Sequence, residues 1–110
     1  MSDAFKDRQK GFEGKWARDE ELRFKVMARR NKLLGQWAAG EMGLKDDKAK
    51  EYAMAVVQAD FQEAGDEDVF RKVRADFDAA KIAVADRALR AKMDELLAVA
   101  GEQILGEAGK

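Results

Sequence analysis

The chain has 110 residues, 39% of them charged and 46% hydrophobic, with no cysteine, histidine or proline and a net charge of −1. That length holds one small domain and leaves no room for a second. Without cysteine or histidine there is no thiolate nucleophile, no Cys-based metal site, no Ser-His or Cys-His arrangement, and no di-iron bundle site built on Glu-x-x-His.

The chain opens with a charged stretch, DAFKDRQKGFEGKW, that also carries Phe5, Phe12 and Trp16. On a helix, at about 100° per residue, Phe12 falls about 20° to one side of Phe5 and Trp16 about 20° to the other. The three aromatics form one narrow stripe on a backbone weakened by Gly11 and Gly14. Burying them gains roughly 5–9 kcal/mol. Ordering about sixteen residues costs on the order of 16–30 kcal/mol of backbone entropy before hydrogen bonds are counted. The stripe cannot hold the helix unaided. Residues 1–18 are therefore expected to be a mobile arm that folds on binding, helix into groove. The partner-facing residues are Phe5, Phe12 and Trp16, with Lys6, Arg8, Lys10 and Lys15 seeking charge partners.

After a charged interruption at Asp19, Glu20 and Arg23, a wider stripe of Leu22, Val26, Met27, Leu33, Leu34, Trp37 and Met42 predicts a helix from about Asp19 to Met42. Asp19 is its N-cap, Glu20 and Glu21 suit the first turn, Glu21 and Lys25 make an i,i+4 pair, and Gly43 stops it. Asp46 or Asp47 caps a second helix around Tyr52, Ala53, Val56, Val57 and Phe61, which Gly65 ends. Asp66, Glu67 and Asp68 start a third, burying Val69, Phe70, Val73 and Phe77. A fourth stripe runs Ile82, Leu89, Met93, Leu96, Leu97, Ala100 and Ile104. No glycine or proline separates the last two, but one helix of about 40 residues would be out of proportion in so small a domain, so a break is expected between Asp78 and Asp86. The fold class is all-α: a four-helix bundle over 19–106, with a mobile N-terminal arm and a frayed tail at 107–110. Alanine supplies 20 of the 110 residues, in keeping with helix throughout.

Charge is unevenly spread. Residues 1–32 carry a net of +4 and residues 33–110 a net of −5. The overall pI near 5.6 and the alternating signs in the arm argue against a nucleic-acid partner. No apolar run approaches about 18 residues, so no direct membrane insertion is expected. The opening SDAFKDRQK lacks the apolar core of a secretory signal, which makes the cytoplasm the default location. Asp60, Asp76 and Asp86 read as parts of a solvated acidic face. Asp46 and Asp47 lack the length and glycine placement of an EF-hand loop, and no Gly-rich loop follows a strand. No catalytic or metal-binding residue is expected, and no enzyme activity. The cluster Arg29, Arg30, Asn31 and Lys32 reads either as a solvated basic face or as an anion site: Arg29, Arg30 and Lys32 around a weakly bound ATP or ADP, with Trp37 nearby. No other cofactor is expected.

The stretches ELRFKVMARRNKLLGQWAAGEMGL and AGDEDVFRKVRADF, and the opening AFKDRQKGFEGKWARDEELRF, resemble the zeta subunit family of the alphaproteobacterial F-type ATP synthase over essentially the whole chain. The resemblance implies a four-helix bundle with a mobile N-terminus that inhibits ATP hydrolysis by the catalytic head. It also implies that the N-terminal segment, here about residues 1–19, enters a catalytic alpha/beta interface, meets gamma, becomes helical and blocks rotation in the hydrolytic direction. The implied partners are alpha, beta and gamma, on the cytoplasmic side of the membrane-embedded synthase. The other reading is an adenine-nucleotide-binding regulatory bundle without direct inhibition.

Overall fold

The computed structural model describes residues 19–59 and 66–108. They form four helices: α1 Glu20–Glu41, α2 Asp46–Ala59, α3 Asp66–Ala79 and α4 Asp86–Ala108. The number and order match the apolar periodicities, and no strand occurs among the described residues. The expected arm, together with Phe61, lies outside them. Helix α4 runs to Ala108, two residues past the expected end of the bundle.

The helix ends follow from local chemistry. Asp19 is extended (φ −99°, ψ 111°), and its Oδ1 accepts the Leu22 N–H at 3.1 Å. Glu20 and Glu21 occupy the first turn, and Glu21 pairs with Lys25 at 3.2 Å. Gly43 closes α1 at φ +76°, its N–H bonded to the Gly40 carbonyl at 3.1 Å and the Leu44 N–H to that of Ala39 at 2.8 Å. This is a Schellman motif, with glycine in the left-handed position. The start of α2 differs from expectation. The Ala49 N–H reaches the Lys45 carbonyl at 3.4 Å, so Lys45 holds the capping position. Asp46 (φ +53°) and Asp47 belong to the first turn, where their negative charge complements the positive end of the helix dipole.

The break between α3 and α4 lies within the expected span and repeats the same motif without glycine. Lys81 takes φ +60°. Its N–H bonds to the Asp78 carbonyl at 3.2 Å, and the Ile82 N–H to that of Phe77 at 2.8 Å. Arg74 then ties the connection down. Its guanidinium donates to Asp78 at 2.9 Å, to Asp86 at 3.1 Å and to the Val84 carbonyl. Ile82 and Val84 turn inward against the core.

The core has two parts. The larger gathers Leu34, Ala38, Val56, Val69, Phe70, Val73, Phe77, Leu89 and Met93 from all four helices. The smaller joins Val26 to Ala100 and Ile104, with Leu22 and Leu33 packed against them. Helix α1 is the axis of both and touches each of the other three. Its approach to α2 is close because both surfaces are small there: a Cβ added to Gly35 would lie 2.6 Å from the Ala53 Cα. Helices α2 and α4 flank α1 and make no close backbone contact with each other. Among the described residues a lane is left open between them.

Candidate functional site

The lane is a groove of about 870 Å³. Helix α1 supplies its bed and one row of cations through Leu22, Phe24, Lys25, Arg29 and Lys32. Helix α2 adds Lys50, Met54 and Val57, and the end of α4 adds Ile104 and Glu107. Phe24 and Met54 are each 57% exposed, an unusual cost for residues of that size. Their phase explains the exposure. On α1, Phe24 sits about 160° from Val26, and on α2, Met54 sits about 160° from Val56, so neither can share its helix's buried face.

The basic cluster of α1 divides around the helix. Arg29 lines the groove and stitches α1 to α4, donating to Gln103 Oε1 at 2.9 Å and to Glu107 Oε1 at 3.0 Å. Lys32, about 60° round from Arg29, is exposed on the same wall. Arg30 goes the other way. It is 1% exposed, and its Nε donates to Oδ1 of the equally buried Asn31 at 2.8 Å. Asn31 Nδ2 has no partner among the described residues. The run is therefore not a uniformly solvated face, and the structure brings together only Arg29 and Lys32 of the three cations read as an anion site. Trp37 is not their neighbour in the groove. It packs edge-on against Phe77 in the core, centroids 5.6 Å apart at 70°, with the Lys92 ammonium 5.6 Å from its ring.

The other site residues read from the sequence, Phe5, Lys6, Arg8, Lys10, Phe12, Lys15 and Trp16, lie outside the described residues. Phe24, Lys50 and Met54 were missed. The signal for two of them was present: large apolar side chains out of phase with the stripe of an otherwise regular helix.

A second polar cluster sits away from the groove. Tyr52 donates to Asp76 Oδ2 at 2.8 Å, and Lys72 bonds the same oxygen at 3.1 Å while lying 5.3 Å from the Tyr52 ring centre. Burial and the Asp76 carboxylate push the Tyr52 hydroxyl well above its ordinary value. The shift holds the phenol neutral as a donor, so it is a structural bond. Among the described residues no group of three metal-ligating side chains converges, and no helix is long and apolar enough to cross a membrane. The groove offers apolar surface and positive charge, the requirements of binding.

Comparison with known proteins gives this arrangement its context. No curated protein matches the chain. Among solved structures, a protein determined by solution NMR is 48% identical, with a TM-score of 0.69, over 78% of this chain and 98% of its own. The model of the family described as ATPase inhibitor subunit zeta matches residues 1–103, from the first residue of the opening segment to within the last turns of α4. The chain belongs to the ATPase inhibitor subunit zeta family.

Proposed function

We propose that this chain restrains ATP hydrolysis by an F-type ATP synthase through residues 1–18, which enter a catalytic alpha/beta interface as a helix, meet gamma, and block rotation in the hydrolytic direction. The helical bundle is the carrier, held on the cytoplasmic side of the synthase. The observation that carries this reading is the stripe of Phe5, Phe12 and Trp16, the concentrated apolar surface of a segment otherwise made of charges. Two others support it. The family match begins at residue 1, so the opening segment belongs to the inhibitor pattern. The described residues, 19–59 and 66–108, gather a core from all four helices.

The test is ATP hydrolysis by the cognate catalytic head, titrated with the full chain and with a Phe5→Ala, Phe12→Ala, Trp16→Ala variant. The substitution removes roughly 5–9 kcal/mol of burial from the bound state. Inhibition is expected to vanish while the helical circular dichroism and the melting temperature of the bundle stay in place. An aromatic-free arm that inhibits normally would show that the charges or the bundle do the blocking.

The second reading, adenine-nucleotide binding, draws on Arg29 and Lys32 sharing one wall of the groove. Titration with ADP, followed by amide shifts of those two residues, tests it.

A further inference from the structure

Among the described residues the groove carries exposed apolar surface at Met54 and cations without an ion pair. Four cations line it: Lys25, Arg29, Lys32 and Lys50. Lys25 is paired with Glu21, and Arg29 with Glu107. Lys32 and Lys50 are exposed and make no ion pair among the described residues. Between them the surface is apolar, with Met54 standing 57% exposed. Among the described residues the shape is that of a bundle with one helix position unfilled. Helices α2 and α4 form two walls over α1, with no close backbone contact across the lane. A groove so built takes an amphipathic helix along its length.

Charge selects the occupant. The chain's own residues 1–18 carry five cations against three carboxylates, a net of +2, and would meet a basic rim. A second copy docked through the same groove would bring one basic rim against another. An acidic helix with one apolar face matches both the floor and the rim. Position points the same way. Leu22, in the first turn of α1, already lines the groove, three residues from Asp19. Any head that takes residues 1–18 must present its outer surface beside the mouth of the lane.

We propose that the groove bounded by Lys32, Lys50 and Met54 docks an acidic amphipathic helix on the outer surface of the ATPase head. It is a second foothold beside the arm, and the proposal rests on the arm reading given above. The tether then works in both directions. Seating either part holds the other at high effective concentration.

The test uses the full chain and the cognate catalytic head. A Lys32→Glu, Lys50→Glu variant is compared with Lys45→Glu, Lys48→Glu, the same charge change off the groove. Reversing the groove pair should weaken affinity for the head about tenfold and flatten its dependence on salt, while the control pair changes it less than twofold. The Met54 methyl resonance should shift when head is added to the wild-type chain. Equal affinities for the two double variants would overturn the proposal, and loss of inhibition in the aromatic-free arm variant would still uphold the arm reading. If instead the groove reversal abolishes binding and the aromatic-free arm does not, the arm reading fails and the groove proposal survives it. Two further results overturn the proposal. One is a wild-type dimer in sedimentation that the groove reversal dissociates, which makes the occupant a second copy. The other is a Met54 methyl shift in the free chain on replacing Phe5, Phe12 and Trp16, which makes the occupant the arm.

Discussion

Replacing Gly35 by alanine sets two effects of known size against each other. In the middle of a helix the change gains about 1 kcal/mol of intrinsic propensity. Against this, the new Cβ would lie 2.6 Å from the Ala53 Cα, 3.2 Å from its Cβ and 3.3 Å from its carbonyl oxygen. The nearest of these is backbone, which has no rotamer to yield. Relief requires α1 and α2 to part by about 1 Å along a contact that also seats Leu34, Ala38 and Val56. Overpacking of this kind typically costs 1–3 kcal/mol, and occasionally more where the obstacle is main chain. The penalty should win, leaving Gly35→Ala about 1–2 kcal/mol less stable in urea unfolding. Gly40→Ala is the control. No atom lies within 4 Å of its added Cβ, so propensity acts alone and stability should rise by about 0.5 kcal/mol. A Gly35→Ala protein as stable as the wild type would refute the close-approach argument and show that the two helices can slide apart freely.

Three further predictions concern single sites. Lys81→Gly removes a side chain from the left-handed position that ends α3 and should raise the urea midpoint by the equivalent of about 1 kcal/mol, since the bonds from Lys81 and Ile82 that close the helix are retained. Arg30→Ala empties a fully buried site and strips Asn31 Oδ1 of its donor, so it should cost about 3 kcal/mol, whereas Arg29→Ala, at a part-exposed ion pair, should cost less than about 1 kcal/mol in the same assay. The Tyr52 hydroxyl is held above its ordinary value in the fold, so the unfolded chain loses that proton first; stability from this group is full below about pH 10 and falls as pH rises beyond it, and comparing wild type with Tyr52→Phe at pH 8 and pH 11 should show the excess loss in the wild type alone.

Most of the helical scaffold was legible because amphipathic periodicity and capping residues are local. Asp19, the Glu21–Lys25 pair and Gly43 act within one turn of the chain, and each does what its spacing predicts. The break before α4 could be expected from proportion but not from chemistry. Its left-handed residue is a lysine, and its clamp, Arg74, reaches across 12 positions to Asp86. The site was harder to see because it arises between helices. The groove exists because α2 and α4 both pack on α1 and not on each other, a fact of tertiary arrangement that no window of sequence contains. For the same reason the basic run of α1 could not be resolved into parts. Neighbours on a helix differ by about 100°, so Arg30 could be buried and Lys32 exposed as soon as the bundle chose which side to cover. Arginine in a core is rare enough that hydropathy alone places it outside.

The proposed mechanism also asks why such an inhibitor is built in two parts. Under that proposal, ordering an arm of about eighteen residues on binding costs on the order of one kcal/mol or more per residue in backbone entropy, far beyond what three aromatics return. Hydrogen bonds and charge partners in the cleft must supply the rest, and Gly11 and Gly14 keep the bound helix about 2 kcal/mol more expensive than alanines would. An arm so constructed would bind weakly for its contact area. A stable domain fixed to its root changes the kinetics without changing that property. Once the basic groove is seated on the head, the arm re-enters from a local concentration that a short linker sets in the millimolar range. The strength of the block is then set by the arm, and its persistence by the groove. The two could then vary independently, because the Asp19 cap of α1 is a bond to Leu22 within the first turn of the helix itself.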